Sequence, residues 1–293
     1  MTARMNRKDV QRKMAQDLGV PLASGEVVWL EPGAFGLPRS VEPLRLAIVH
    51  WLQFGRRALL RGCNGASGSS TRIVAGAPDL AATLDWAANR SEDCYLVDCF
   101  HEVNVSPNVL VFVPADPDRA VRFVAATDQI LDGGLSHAGN RFPSTAVLLD
   151  EMIDHALALG RRLQHEGYAG WVGCDFCEYL DEQAGEPALF FAELNARING
   201  ACYPVGLATR WWAAAGQDAG AFVAGFAASG ARSFTRLASR LDQQLLRPDR
   251  RDGVLPYNTS CLAHGYCAAM VLDRTAQAAA QRWTQFLGVA GDG

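Results

Sequence analysis

The chain has 293 residues, 49% of them hydrophobic and 20% charged, with a net charge of −4. That balance describes one large or two smaller globular domains with a sizeable core, and the mild acidity argues against a protein that coats nucleic acid or an acidic membrane. No apolar run approaches the ~18–20 residues that a bilayer crossing needs, and Met1 to Gln16 lacks the apolar core of a signal peptide, so cytoplasmic residence is expected.

In chain order, Arg7–Leu18 carries Val10, Met14 and Leu18 at helical spacing and stops at Gly19 and Pro21, which predicts a helix. A strand over Glu26–Leu30 follows, then a connection rich in proline and glycine, and a helix over Pro43–Phe54. Ala58–Leu60 and Thr71–Ala75 read as short strands flanking Arg61-Gly-Cys-Asn-Gly-Ala-Ser-Gly-Ser-Ser70, the richest glycine and serine run in the chain. A helix around Leu80–Asn89 precedes strands over Cys94–Phe100 and Val109–Val113. Leu148–His165 is the clearest amphipathic helix, with Leu149, Met152, Ile153, Ala156 and Leu163 on one side. Strands over Trp171–Tyr179 and Ala188–Asn195 come next. Thr209–Ala228 and Thr275–Leu287 read as helices, and Val254–Tyr266 does not. Helices alternating with short strands imply an α+β or α/β body.

The eight cysteines are scattered, several of them inside apolar segments, which suits reduced thiols better than a disulfide framework. Cys174 and Cys177 form a C-x-x-C, but on a strand that spacing sends the thiols to opposite faces, and no second pair completes a zinc site. The six histidines show no H-x-x-x-H spacing and no nucleophile partner.

Glu193, Asn195 and Arg197 occupy every second position of the apolar run 188–199, so on a strand all three project the same way. The turn-forming segment 181–187 makes an antiparallel hairpin with Trp171–Tyr179. Closing it symmetrically on Leu180 and Ala188 sets Asp175 opposite Glu193, a register that a bulge would shift. Two facing carboxylates repel and raise each other's pKa unless a cation sits between them. A hard cation with oxygen ligands from Asp175, Glu193 and Asn195 answers that repulsion, and Mg²⁺ bridged to nucleotide phosphates suits so sparse a ligand set. Arg197 then offers a planar fork to a phosphate or acyl-phosphate oxygen. The plainer alternative is a solvated hairpin face with an incidental salt bridge. The loop Gly62–Ser70 adds flexible backbone and hydroxyl donors for phosphate, although it has no G-K-[S/T] and is followed by a strand, so it is not a P-loop.

A glycine-rich hairpin loop, then Gly173-Cys-Asp-Phe176, then Glu193-Leu-Asn-Ala-Arg197 followed by Gly200, resembles the ATP-grasp superfamily over roughly Met5 to Pro204. Val105-Ser-Pro-Asn-Val109, Thr127–Leu131 and Gly139–Pro143 are similar to the ATP-grasp peptide ligases of microbial natural-product pathways. The resemblance implies an α+β fold of two subdomains gripping ATP, with residues 1–55 as a lead-in, 56–115 as the nucleotide-binding part and 116–293 as the metal- and substrate-binding part. It implies that ATP phosphorylates a substrate carboxylate and that an amine attacks the acyl phosphate to form an amide. Asp175, Glu193 and Asn195 would hold Mg²⁺, with Glu193, Asn195 and Arg197 as the catalytic set. Lys8 and Arg61 would contact ATP phosphates, Gly65, Ala66, Ser67, Gly68 and Ser69 would close over them, and Asp98 or Glu102 would bind the ribose. Arg141 is a candidate for a substrate carboxylate or a loop cap. A lysine usually stands where this chain has Arg61, and the domain that usually precedes the nucleotide-binding part is expected to be missing. A homodimer or a partner protein supplying it is the corresponding expectation. A silent nucleotide-binding subunit is the alternative function.

Overall fold

The computed structural model describes residues 2–31, 40–64, 70–216 and 220–291. Two antiparallel sheets organise them. The smaller sheet has strand order β1-β4-β2-β3, with β1 Gly25–Trp29, β2 Ala58–Gly62, β3 Thr71–Val74 and β4 Cys94–Cys99. Helices α3 (Glu42–Gln53) and α4 (Ala77–Ala88) cover one face, packing Leu44, Ile48, Leu80 and Leu84 against Val28, Leu60, Val74 and Val97. The opposite face carries a small apolar cluster of Cys63, Cys94, Leu96 and Val27 beside the charged Arg61 and Asp98.

The larger sheet runs β10-β9-β6-β7-β8-β11-β13-β12, with the short β5 (Val103–Val105) paired to β9. Its strands are β6 Pro107–Val113, β7 Arg122–Asp132, β8 Ser136–Phe142, β9 Gly170–Asp181, β10 Glu186–Asn195, β11 Ala221–Ala228, β12 Gly253–Tyr257 and β13 Tyr266–Asp273. Alternation along each strand sorts its two faces. Val109 and Val111 face α5 (Leu149–His165) through Met152, Ala156 and Leu159, whereas Leu110 faces α6 (Cys202–Ala214) through Val205, Ala208 and Trp212. Along β13, Ala269 and Val271 meet α7 (Phe234–Leu241) and α8 (Ala276–Gly291), and Met270 and Leu272 turn toward α6.

The N-terminal pair α1 (Thr2–Met5) and α2 (Lys8–Asp17) ties the sheets together. The Gln11 side chain accepts from Leu194 N at 2.9 Å and donates to Leu194 O at 2.6 Å, so its amide stands in for a neighbouring strand along the edge of β10. On the same helix Arg12 reaches into the smaller sheet and meets Asp98 at 2.8 Å.

Strand pairing joins distant segments of the chain. β1 joins the same sheet as β2, β3 and β4, and β6 belongs wholly to the larger sheet. The helix expected over Thr209–Ala228 is two elements: α6 ends at Ala214 and β11 begins at Ala221. Alanine and glycine there favour a helix by composition, but β11 lies between β8 and β13 with both faces covered, so no alternation marks it. Close approach requires glycine on both strands: a Cβ on Gly225 of β11 would lie 2.7 Å from Ala138 O, and one on Gly139 of β8 would lie 2.2 Å from Ala224 O. Val254–Tyr266, expected not to be helical, is β12 followed by a short 3-10 turn over Thr259–His264. All eight cysteines are free thiols, six of them buried, and Cys174 and Cys177 lie on opposite faces of β9, in the core and in the cleft.

Candidate active site

Between the two sheets runs a cleft made of three adjoining cavities of 400, 150 and 330 Å³ that share lining residues such as Gln129 and Leu135. The β9–β10 hairpin forms its floor at the 330 Å³ end. Near the turn the register is one residue off the symmetric closure, with Pro187 rather than Ala188 opposite Leu180. A bulge between Phe191 and Glu193 then restores the expected pair, Asp175 opposite Glu193. The extra residue, Ala192, turns its carbonyl to Arg61 Nη1 at 2.7 Å.

Asp175 is therefore held beside a like charge. Burial and the Glu193 carboxylate push its pKa up to about 7, against the pull of hydrogen bonds from Asn108 and Asn195 and of the Arg197 charge. Asn108 Nδ2 donates to Oδ1 at 2.5 Å and Asn195 Nδ2 to Oδ2 at 3.0 Å. Arg197 Nη1 donates to Asn195 Oδ1. Arg197 stands two residues past the end of β10 rather than on the strand, yet it lines the same cavity as Asp175, Glu193 and Asn195. Gly173 is required by this packing, since a Cβ there would lie 1.9 Å from Asn199 Nδ2 and 2.8 Å from Asn108 Nδ2. The oxygen-only donors of Asp175, Glu193 and Asn195, with one carboxyl driven toward its neutral form, fit a hard divalent cation.

The middle cavity carries the basic groups. Lys8 is buried, its Nζ 3.4 Å from Glu193 Oε1, and it lines this cavity with Arg61, Gly62 and Ser70. Arg61 Nη2 donates to Asp98 Oδ2 at 2.7 Å, while its buried Nε makes no hydrogen bond. An orphaned guanidinium donor beside a cavity suits an anionic oxygen. Residues Gly65, Ala66, Ser67, Gly68 and Ser69 lie outside the described residues.

Asp98 is fully buried, with Arg12 Nη1 on Oδ1 at 2.8 Å and Arg61 Nη2 on Oδ2 at 2.7 Å. An unpaired carboxylate inside an apolar strand is too costly to leave free, and here two guanidinium groups use both oxygens. Asp98 is thus an internal counter-ion to Arg12 and Arg61, at the wall of the 400 Å³ cavity. Glu102 stays exposed at the rim of the 400 Å³ cavity, paired with Arg57, whose guanidinium covers the Phe100 ring at 4.3 Å. That cavity has apolar walls, including Leu59, Val103 and Phe190, and His101 leans at a tilt against Tyr179, ring centroids 4.3 Å apart, beside it. Arg141, on β8, is exposed and lines the 400 Å³ cavity, not the one that holds Asp175, so it does not share the metal end.

Sequence reasoning passed over Asn108, Asn199 and His137, all of which line the 330 Å³ cavity. Asn108 sits in the Ser106-Pro-Asn-Val stretch and Asn199 two residues beyond Arg197. The missing side chain at Gly173 was the available signal for their approach.

No protein-family model and no curated protein matches the sequence. Solved structures match the fold. An N5-carboxyaminoimidazole ribonucleotide synthetase in complex with ADP superposes with a TM-score of 0.68 at 13% identity, covering 97% of this chain and 71% of that one. The Aspergillus clavatus N5-carboxyaminoimidazole synthase, with ADP and 5-aminoimidazole ribonucleotide, gives 0.66 at 13% identity over 98% and 73%. The biotin carboxylase domain of Hydrogenobacter thermophilus 2-oxoglutarate carboxylase, with MgADP, ADP and bicarbonate, gives 0.65 at 16% over 97% and 66%. The chain has the ATP-grasp fold. It spans about two thirds to three quarters of the length of these structures. Within the ATP-grasp fold the cleft between the two sheets holds every expected site residue that is described. Among the described residues no helix is long and apolar enough to cross a membrane.

Proposed function

We propose that the chain is an ATP- and Mg²⁺-dependent carboxylate–amine ligase working through an acyl phosphate. The observation that carries the reading is the Asp175–Glu193 pair, two carboxylates forced together at the floor of a cleft with basic groups on one side. A purely structural pair would gain from one substitution; a metal site needs both.

In this reading the 400 Å³ cavity takes the adenine and ribose, with Glu102 at its rim. Lys8 and Arg61 line the middle cavity, which takes the phosphates. Asp175, Glu193 and Asn195 would hold Mg²⁺, which would supply neutralisation of phosphate charge. Asp98 acts on this site only through Arg61, whose guanidinium it fixes. A substrate carboxylate oxygen attacks the γ-phosphorus, and the bond to the ADP oxygen breaks. The amine nitrogen then attacks the acyl carbon, phosphate leaves, and the amine proton passes to solvent or a cleft base. Arg197 steadies the transferring group. Such chemistry needs positioning and charge neutralisation, and no protein nucleophile.

Small-molecule acids and amines are the partners. The stretches Val105–Val109, Thr127–Leu131 and Gly139–Pro143 support a place among peptide-forming ligases of secondary metabolism. A second reading, a silent nucleotide-binding subunit, draws on Arg61, two of whose donor groups are already engaged by Asp98 and Ala192. ADP release with Mg²⁺·ATP and a panel of acids, trapped with hydroxylamine as hydroxamates, tests the ligase. Nucleotide binding with no ADP release from any acid supports the silent subunit.

A further inference from the structure

The 330 Å³ cavity has a lining that phosphoryl transfer does not explain. Among the described residues lining it, Arg197 is the one cation. Lys8 and Arg61 line the middle cavity, where Lys8 is engaged by Glu193 at 3.4 Å and Arg61 by Asp98 at 2.7 Å, and Arg141 lines the 400 Å³ one. The same cavity is lined by Leu131, Leu135, Ile198 and Tyr203. Ile198 and Tyr203 are each 57% exposed, a large apolar surface left open to water directly beside charged groups. Apolar surface of that kind, next to a few convergent polar groups, marks a place that a ligand covers.

Charge counting narrows the ligand further. Lys8 is already seated on Glu193, so Arg197 is the cation that the described lining of this cavity offers a substrate. One carboxylate is matched; a phosphate group or a second carboxylate is not, and would be desolvated without a partner. His137 adds no charge, because burial holds its imidazole below the ordinary value.

We propose, resting on the ligase reading, that this cavity takes a carboxylic acid with one negative charge and an apolar or aromatic body seated on Ile198 and Tyr203, and that it rejects phosphorylated ribonucleotides. The neighbour bound to 5-aminoimidazole ribonucleotide shares the fold; the lining described here predicts a different substrate.

Calorimetry on the full chain, with Mg²⁺ and a non-hydrolysable ATP analogue, tests this with 3-phenylpropionate, 4-methylpentanoate, succinate and ribose 5-phosphate as probes. The two apolar monocarboxylates should bind about ten-fold or more tightly than the other two. Tyr203→Ala should weaken 3-phenylpropionate about ten-fold while leaving the nucleotide analogue's affinity unchanged, and Tyr203→Phe should restore it. No binding of the apolar acids, equal binding of all four, or a preference for succinate or the sugar phosphate overturns the proposal. Hydroxylamine trapping separates it from the reading beneath: apolar acids that bind without forming hydroxamate sink the ligase and leave the specificity standing. Hydroxamate formed preferentially from succinate keeps the ligase and removes the specificity.

Discussion

Two groups of buried charge, one in each sheet, behave in opposite ways. In the smaller sheet Asp98 has two guanidinium partners and both its oxygens are used. In the larger sheet Asp175 faces a second carboxylate, and its pKa is driven up to about 7. Arg12 and Arg61 between them match the Asp98 carboxylate and hold α2, β2 and β4 together. Asp175 has amide donors, while the Lys8 ammonium sits on Glu193 instead, so the contact between the two carboxylates improves when a cation arrives. A buried carboxylate matched by cations builds structure, and one set against a like charge is poised for a ligand cation.

The contrast breaks first at Asp98. Asp98→Asn leaves Arg12 and Arg61 short of a counter-charge and should cost about 3–5 kcal/mol in a denaturant titration, whatever the ligand. The same isosteric change at the other site should act in reverse. Asp175→Asn relieves repulsion and should leave the ion-free protein as stable or more so, while Mg²⁺-promoted nucleotide binding falls by about a hundredfold or more.

The pH dependence sharpens the difference. Because the folded-state pKa of Asp175 is raised, the folded chain keeps a proton that the unfolded chain releases near the ordinary carboxylate value. This group therefore lowers stability progressively as pH rises toward about 7, and the penalty is complete above it. A bound cation removes the penalty, so the rise in Tm on adding Mg²⁺ and nucleotide should be larger at pH 8 than at pH 5.5, and Asp175→Asn should flatten that difference. The smallest effect is expected at Arg61→Lys. A lysine keeps the charge facing Asp98 but loses the fork that also reaches Ala192 O, so stability should fall by about 1 kcal/mol and nucleotide affinity should change modestly.

How much was legible in the sequence follows the same division. The hairpin carboxylates could be read because β9 and β10 are half-buried, so polar residues at every second place stand out against apolar ones. The pair itself came out right although the turn register did not, since the bulge at Ala192 offsets the shifted closure. Arg197 was placed on the strand, but the chain has already turned there, and the site gains it from the loop that follows. Asp98 was legible as an oddity and illegible in its role, because its partners Arg12 and Arg61 lie 86 and 37 residues away. β11 was hidden by small residues that a covered central strand needs. Asn108 and Asn199 could be found only once Gly173 was seen to leave them room.

The central claim is that the Asp175–Glu193 pair is a cation site serving a nucleotide. Isothermal titration of ADP or a non-hydrolysable ATP analogue, with and without Mg²⁺, tests it on the wild type and on Glu193→Ala. The account predicts binding that Mg²⁺ strengthens in the wild type and that the substitution weakens until Mg²⁺ no longer matters. Nucleotide binding indifferent to Mg²⁺ in the wild type, or unchanged by Glu193→Ala in a folded protein, would contradict it.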